Sequence, residues 1–257
     1  MRTVKSTIFA AHGFTLVEMA IVMLIVALLL GGLVPTLSSQ IDQRHVSETR
    51  KQLDEIQQAL IGFAIINGRL PCPASSTSNG VESFASGGAP ANGNCSNFYD
   101  GFVPAATLGL PAGSNGLTDA WGNHIHYAVT TWNSTNPPVI NVFTAAGGMS
   151  AVGIANLNPG SLSYLLVCST AAGITVSPPT CGGTGTSLTS SPGVPVVVFS
   201  TGKNGGQAGV SADETANLNG TRVFISHDFV QNGFDDIVVW ISSNTLINRM
   251  VAAGKLP

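Results

Sequence analysis

The stretch that decides the reading is AAHGFTLVEMAIVMLIVALLLGGLVP, Ala10–Pro35. From Phe14 to Val34 it is almost wholly apolar over about 21 residues, and at 1.5 Å rise per residue that length crosses a hydrocarbon core of about 30 Å. Glu18 interrupts the run. A carboxylate in a membrane span costs roughly 2.5–3.5 kcal/mol on insertion scales, so an intramembrane acid is expected to have a function. The leader MRTVKSTIFAAHG carries Arg2 and Lys5 and no acid. Positive charge on this side predicts a cytoplasmic N-terminus and a following chain that lies across the membrane. A secretory signal would share the basic start and the apolar core, and ALLLGG resembles the end of one, but such a core should not contain Glu18. A plain single-span anchor also leaves that acid without a purpose.

Working outward, Pro35 removes one helical hydrogen bond and predicts a kink or short break. Beyond it, Leu53, Ile56, Leu60 and Phe63 step by three and four and fall on one helical face. Arg44, Glu48, Arg50, Lys51, Asp54 and Glu55 read as a solvated face beside that stripe. Gly68 and Pro71 are the stop signal. One helix from Phe14 to Asn67 is expected, its first half in the membrane and its second half packed on a domain.

After Pro71 the pattern changes to short apolar runs divided by Gly, Pro, Ser and Asn. IHYAVT, VINVFT, SYLLVC, VPVVVFS, TRVFIS and DDIVVWIS read as strands between turns. The expected class is α+β, a long N-terminal helix packed on an antiparallel sheet. The expected division is a leader at 1–13, an apolar helix at 14–34, the outer half of that helix at 35–67 and a β-rich domain at 68–257.

Composition narrows the function classes. Charged residues make up 9% of the 257-residue chain, against about 25% in an ordinary soluble domain. With 44% hydrophobic residues, low charge does not signal disorder, which needs low hydrophobicity. The formal net charge of −3 carries no basic footprint, so nucleic acid is not an expected partner.

The segment Gly13-Phe14-Thr15-Leu16-Val17-Glu18 resembles the processing site of type IV pilins and type II secretion pseudopilins. That resemblance implies cleavage between Gly13 and Phe14 by prepilin peptidase, a membrane protease, and N-methylation of Phe14. It also implies assembly with other pilin or pseudopilin subunits on an inner-membrane platform, with the outer domain periplasmic. Glu18 matches the acid at the fifth mature position, and Pro35 a proline where the long helix loosens. The residue types agree with that chemistry. Gly13 lets a protease approach the backbone closely, and Glu18 offers a partner to the new amine of Phe14, since two buried charges are tolerable paired and costly apart.

A second segment, GLTDAWGNHIHYAV at 116–129, is similar to the Asp-Pro-Trp-Gly-Asn-Pro-Tyr stretch of the major pseudopilin. Asp119, Trp121, Gly122, Asn123 and Tyr127 match, while Ala120 replaces the proline. FSTGKNGG and DDIVVWIS are similar to the turn and closing strand that follow in that family. The family's turn belongs to a calcium-binding loop, but Asn204 stands where an aspartate is usual; no cofactor is therefore expected, with Asp213 the residue left to serve calcium.

Cys72, Cys95, Cys168 and Cys181 allow three pairings. Proximity favours Cys72–Cys95 and Cys168–Cys181, which suits an oxidising compartment, and zinc lacks any C-x-x-C pair. His124 and His126 share one face of a strand and are candidate metal ligands, read here as an ordinary surface or partly buried pair. An enzyme reading needs an acid/base or metal constellation around His124, His126 and His227, and no nucleophile elbow, phosphate loop or zinc-protease helix is present. The expectation is a structural, non-enzymatic filament subunit. The length of the mature chain and its large loops favour a minor subunit of a pilus or secretion pseudopilus. The alternative is a tip adhesin or cargo-binding subunit that touches a surface, DNA or a secreted protein.

Overall fold

The computed structural model describes residues 13–111, 116–157, 164–190, 192–205, 211–230 and 233–256, with the backbone alone over 30–39. The chain forms two compact units, Met1–Arg44 and His45–Pro257. Helix α1 is Leu16–Asn67. It is followed by β1 (Gly101–Phe102), α2 (Ala105–Leu108), β2 (His126–Val129), β3 (Ser134–Thr135), β4 (Pro138–Val139) and α3 (Gly148–Val152). Then come β5 (Leu166–Cys168), β6 (Thr175–Val176), β7 (Pro179–Thr180), β8 (Val196–Ser200), α4 (Ala212–Asn217), β9 (Val223–Ile225), β10 (Ile237–Ile241) and α5 (Ser243–Ala252).

In the first unit the described side chains of α1, from Leu16 to Leu29, are exposed around the whole circumference, among them Leu16, Val17, Met23, Leu24, Leu28 and Leu29. That run of about 14 residues spans roughly 21 Å, short of a bilayer core. Among the described residues no helix is long and apolar enough to cross a membrane. The expected span continues over 30–34, and the expected kink at Pro35 follows it; the side chains of both lie outside the described residues.

In the second unit a four-stranded antiparallel sheet runs β1-β2-β8-β10. Its two faces build two cores, because side chains alternate along a strand. Tyr127, Val129, Val196, Val198 and Ile241 meet Leu53, Ile56, Leu60 and Ala64 of α1 and Leu246 and Met250 of α5. Ala128, Val197, Phe199 and Val238 face the other way, onto Leu165, Val167 and Phe224. Strand β8 is buried at all five residues, which is why VPVVVFS reads as a continuous apolar run. The helical stripe departs from expectation at one place: Ala64, not Phe63, completes it, and Phe63 lies under the Arg69 guanidinium, 5.2 Å from its ring centre.

Three further differences have physical causes. Strands β5 and β9 pair in parallel, so the β structure is not wholly antiparallel. VINVFT is a buried turn after β4: Asn141 adopts a left-handed φ of 49°, its C=O accepts from the Thr144 and Ala145 N–H groups, and Val142 and Phe143 enter the core from the turn. Helix α5 is not among the expected elements; it forms because the Ser242 hydroxyl oxygen caps the Thr245 N–H and Leu246, Ile247 and Met250 are buried.

The end of α1 is tied into the domain. Arg69 and Glu82 form a two-pronged ion pair at 2.8 and 2.6 Å, with side chains only 7% and 11% exposed. Glu82 Oε2 also accepts from the Cys72 N–H, and Cys72 is bonded to Cys95. The second disulfide joins Cys168 to Cys181. A buried charge that loses its partner costs about 3–5 kcal/mol. Glu82→Ala is therefore expected to lower the unfolding free energy of the outer unit by about that amount, measured by urea unfolding of the full chain in detergent. A loss below about 1 kcal/mol would place the pair among surface ion pairs of little weight.

Candidate functional site

The N-terminal site begins with Gly13, which is exposed and has open space where a Cβ would be. Phe14 follows, 82% exposed. Thr15 then caps α1 in a reciprocal arrangement. The Glu18 N–H donates to Thr15 Oγ1 at 3.2 Å, while Glu18 Oε2 accepts from the Thr15 N–H and hydroxyl, both at 2.9 Å. This is a capping box, in which Thr and Glu three residues apart satisfy each other's backbone donors. The Thr15-x-x-Glu18 spacing carries that signal, and it escapes notice when Glu18 is weighed only as a membrane charge. The carboxylate also sits at the positive end of the helix dipole. The bond between Gly13 and Phe14 thus lies in exposed, non-helical chain immediately before a capped helix.

In the outer unit the histidines weighed for an enzyme are packed among aromatic rings and acids. His126 stacks on Phe199 at 4.7 Å and Phe102 lies 5.0 Å from both His124 and His126. Burial, and secondarily the neighbouring His124, push the pKa of His126 down to about 4. His227 is engaged on both nitrogens, with Nε2 3.1 Å from Asp213 Oδ2 and Nδ1 2.8 Å from the Asp228 carbonyl oxygen.

Asp119 organises the segment similar to the major pseudopilin. Its Oδ1 accepts from the Trp121 and Asn123 N–H groups, both at 2.9 Å, and its Oδ2 from the Ser200 hydroxyl at 2.6 Å. Asn123 Nδ2 donates to the Gly202 carbonyl at 2.6 Å. The turn before β2 is thereby fastened to the turn after β8.

The two residues weighed for calcium both have protein partners. Asp213 is engaged by the Ala171 N–H, the Thr170 hydroxyl and His227, and Asn204 turns its amide N–H to Glu214 Oε1. What comes together instead is Glu214, Asp235 and Asp236, with oxygens within 4.8 Å of one another. Protein donors already hold this cluster: Glu214 Oε1 accepts from the Asp235 N–H, Asp235 Oδ2 from the Lys203 and Asn204 N–H groups, and Asp236 Oδ2 from Asn217 Nδ2. The sequence signal for it was weak, since Glu214 is about twenty residues from the other two.

Residues 8–34 match the model of one protein family, the prokaryotic N-terminal methylation motif. No curated protein and no solved structure matches the chain. The match falls on the segment that carries the resemblance to type IV pilins and pseudopilins, and it supports that resemblance. It ends at residue 34, so the likeness of the outer unit to the major pseudopilin gains nothing from it.

The acidic cluster generates a pH dependence. Burial chiefly, with Glu214 and Asp235 adding to it and Asn217 opposing, pushes the Asp236 pKa up to about 7. Burial, with Glu214, likewise raises Asp235 to about 6. A carboxyl whose folded pKa lies above its unfolded value contributes stability below about pH 4 and loses it as pH rises through the folded pKa. Wild type should therefore lose stability relative to Asp236→Asn between pH 4 and 8, on the order of 2 kcal/mol. Urea unfolding of both proteins across that range measures it; parallel curves would mean that Asp236 titrates normally.

Proposed function

We propose that this chain is a minor structural subunit of a type IV pilus or type II secretion pseudopilus. The observation that carries the reading is the match of residues 8–34 to the methylation motif, centred on Gly13, Phe14 and Glu18. Prepilin peptidase cleaves between Gly13 and Phe14 and methylates the new amine. Before assembly, the apolar run Phe14–Val34 holds the subunit in the inner membrane, with Arg2 and Lys5 on the cytoplasmic side and the outer unit in the periplasm, where Cys72–Cys95 and Cys168–Cys181 form. An assembly platform then moves it into a filament of pilin or pseudopilin subunits. No catalytic residue and no cofactor enters this reading.

The physics of the N-terminus supports the order of events. A helix apolar on all sides must be covered by lipid or by other apolar helices, and a filament core of N-terminal helices supplies the second environment. Transfer from lipid to that core brings the Phe14 amine into a dry setting where an acid is needed as its partner. Glu18, held at the first turn of α1 by Thr15, is placed to supply it.

Glu18→Ala tests this reading. Removing the acid deletes the costly group from the span, so insertion and cleavage should proceed. Incorporation should fall about tenfold or more, because an unpartnered buried amine costs about 3–5 kcal/mol. The readout is the ratio of processed protein in sheared filaments to that in membranes, beside wild type. Equal ratios would show that the carboxylate does not govern assembly.

A further inference from the structure

Strand β10 lies at the end of the sheet, and its outer edge has a definite hydrogen-bonding phase. The Thr130 N–H donates to the Pro195 carbonyl, in register with the pairs Ala128–Val197 and His126–Phe199. In an antiparallel ladder such hydrogen-bonded pairs alternate with non-bonded ones. Residues 195, 197 and 199 therefore turn their peptide groups toward β2, and Val196, Val198 and Ser200 turn theirs toward β10. Their partners are Ile241, Val239 and Ile237, which leaves the peptide groups of Val238 and Trp240 pointing away from the sheet. One of these is taken: the Trp240 carbonyl accepts from Gln57 Nε2 at 3.1 Å. Among the described residues no strand pairs along the remainder of this edge.

A groove of about 630 Å³ runs beside it, bounded by α1 at Arg50 and Asp54, by Asp228 and Phe229 after β9, and by Asp235 and Asp236 at the start of β10. Folded proteins usually protect a free edge with lysine, proline or a bulge; β10 reads IVVWI and has none of them. The groove is acidic, with Asp54, Asp228, Asp235 and Asp236 set against Arg50. Phe229, 72% exposed, adds an apolar rim. An open strand edge supplies main-chain pairing to an extended peptide while flanking pockets select its alternate side chains. Acidic walls select cations.

We propose that the outer edge of β10 is a strand-addition site for an extended segment of a partner protein that carries lysine or arginine at alternate positions. The segment pairs with the Val238 N–H and C=O and the Trp240 N–H, and its cationic side chains, which share one face of an extended strand, meet the wall that carries the exposed Asp228. The filament reading is not needed for this, because every residue involved lies in the second unit.

The probe is a fluorescent peptide of alternating lysine and valine, compared with its glutamate–valine counterpart, on the full chain in detergent. Anisotropy titration should show the lysine peptide binding about tenfold tighter or more than the glutamate peptide. Bound lysine peptide should slow hydrogen exchange at the Val238 and Trp240 amides. The variant Asp228→Lys, at an exposed position, should weaken binding of the lysine peptide about tenfold and leave thermal unfolding near that of wild type. Equal affinity for the two peptides, no binding of either, unchanged exchange at Val238 and Trp240, or full affinity in the variant would each overturn the proposal.

Discussion

Leu53, Ile56, Leu60 and Ala64 of α1, seated on Tyr127, Val129, Val196, Val198 and Ile241, are the contact on which the outer unit is built. Each fully buried leucine or isoleucine contributes roughly 1.5–3 kcal/mol of transfer free energy, and α5 adds Leu246, Ile247 and Met250 to the same core. The position of that helix fixes the rest. Its exit at Arg69 places the guanidinium on Glu82, Glu82 holds the Cys72 N–H, and the Cys72–Cys95 bond closes the loop that follows. The unit's low charge makes the Arg69–Glu82 pair weigh more, because hydroxyls and amides do most of the remaining polar work.

The same helix is apolar on every side in its first turns, and this difference divides function between the two units. A one-sided stripe is satisfied by a single domain, whereas an all-round apolar surface requires lipid or other helices. Thr15 and Glu18 close the N-terminus of that surface by capping each other. The acid that looks anomalous in an apolar run therefore has a local partner within its own helix, and under the proposed function its second partner is the Phe14 amine.

Much of this was legible in the sequence because the signals were periodic or punctuated. The leader, Gly13, Glu18 and the apolar run stood out, as did the stripe through Leu53, Ile56 and Leu60. Strands β2, β8 and β10 were visible as apolar runs between turns, and nearness in the chain favoured the disulfide pairs that the structure contains. Other features depend on residues far apart in the chain. Arg69 with Glu82, Asp119 with Ser200, and Glu214 with Asp235 and Asp236 leave no local pattern. VINVFT misled because burial and strand formation were read as one thing, when Asn141 in a left-handed conformation buries the same side chains through a turn.

The central claim is that this chain is a precursor whose mature form begins at Phe14. Expression of the full chain with and without prepilin peptidase, followed by intact mass and N-terminal peptide analysis of the membrane fraction, tests it most directly. The account predicts an unprocessed chain without the peptidase and, with it, a chain that has lost residues 1–13 and begins with N-methylated Phe14. A mature start elsewhere, such as near Ser38, or an uncut Met1 in the presence of active peptidase, would contradict it.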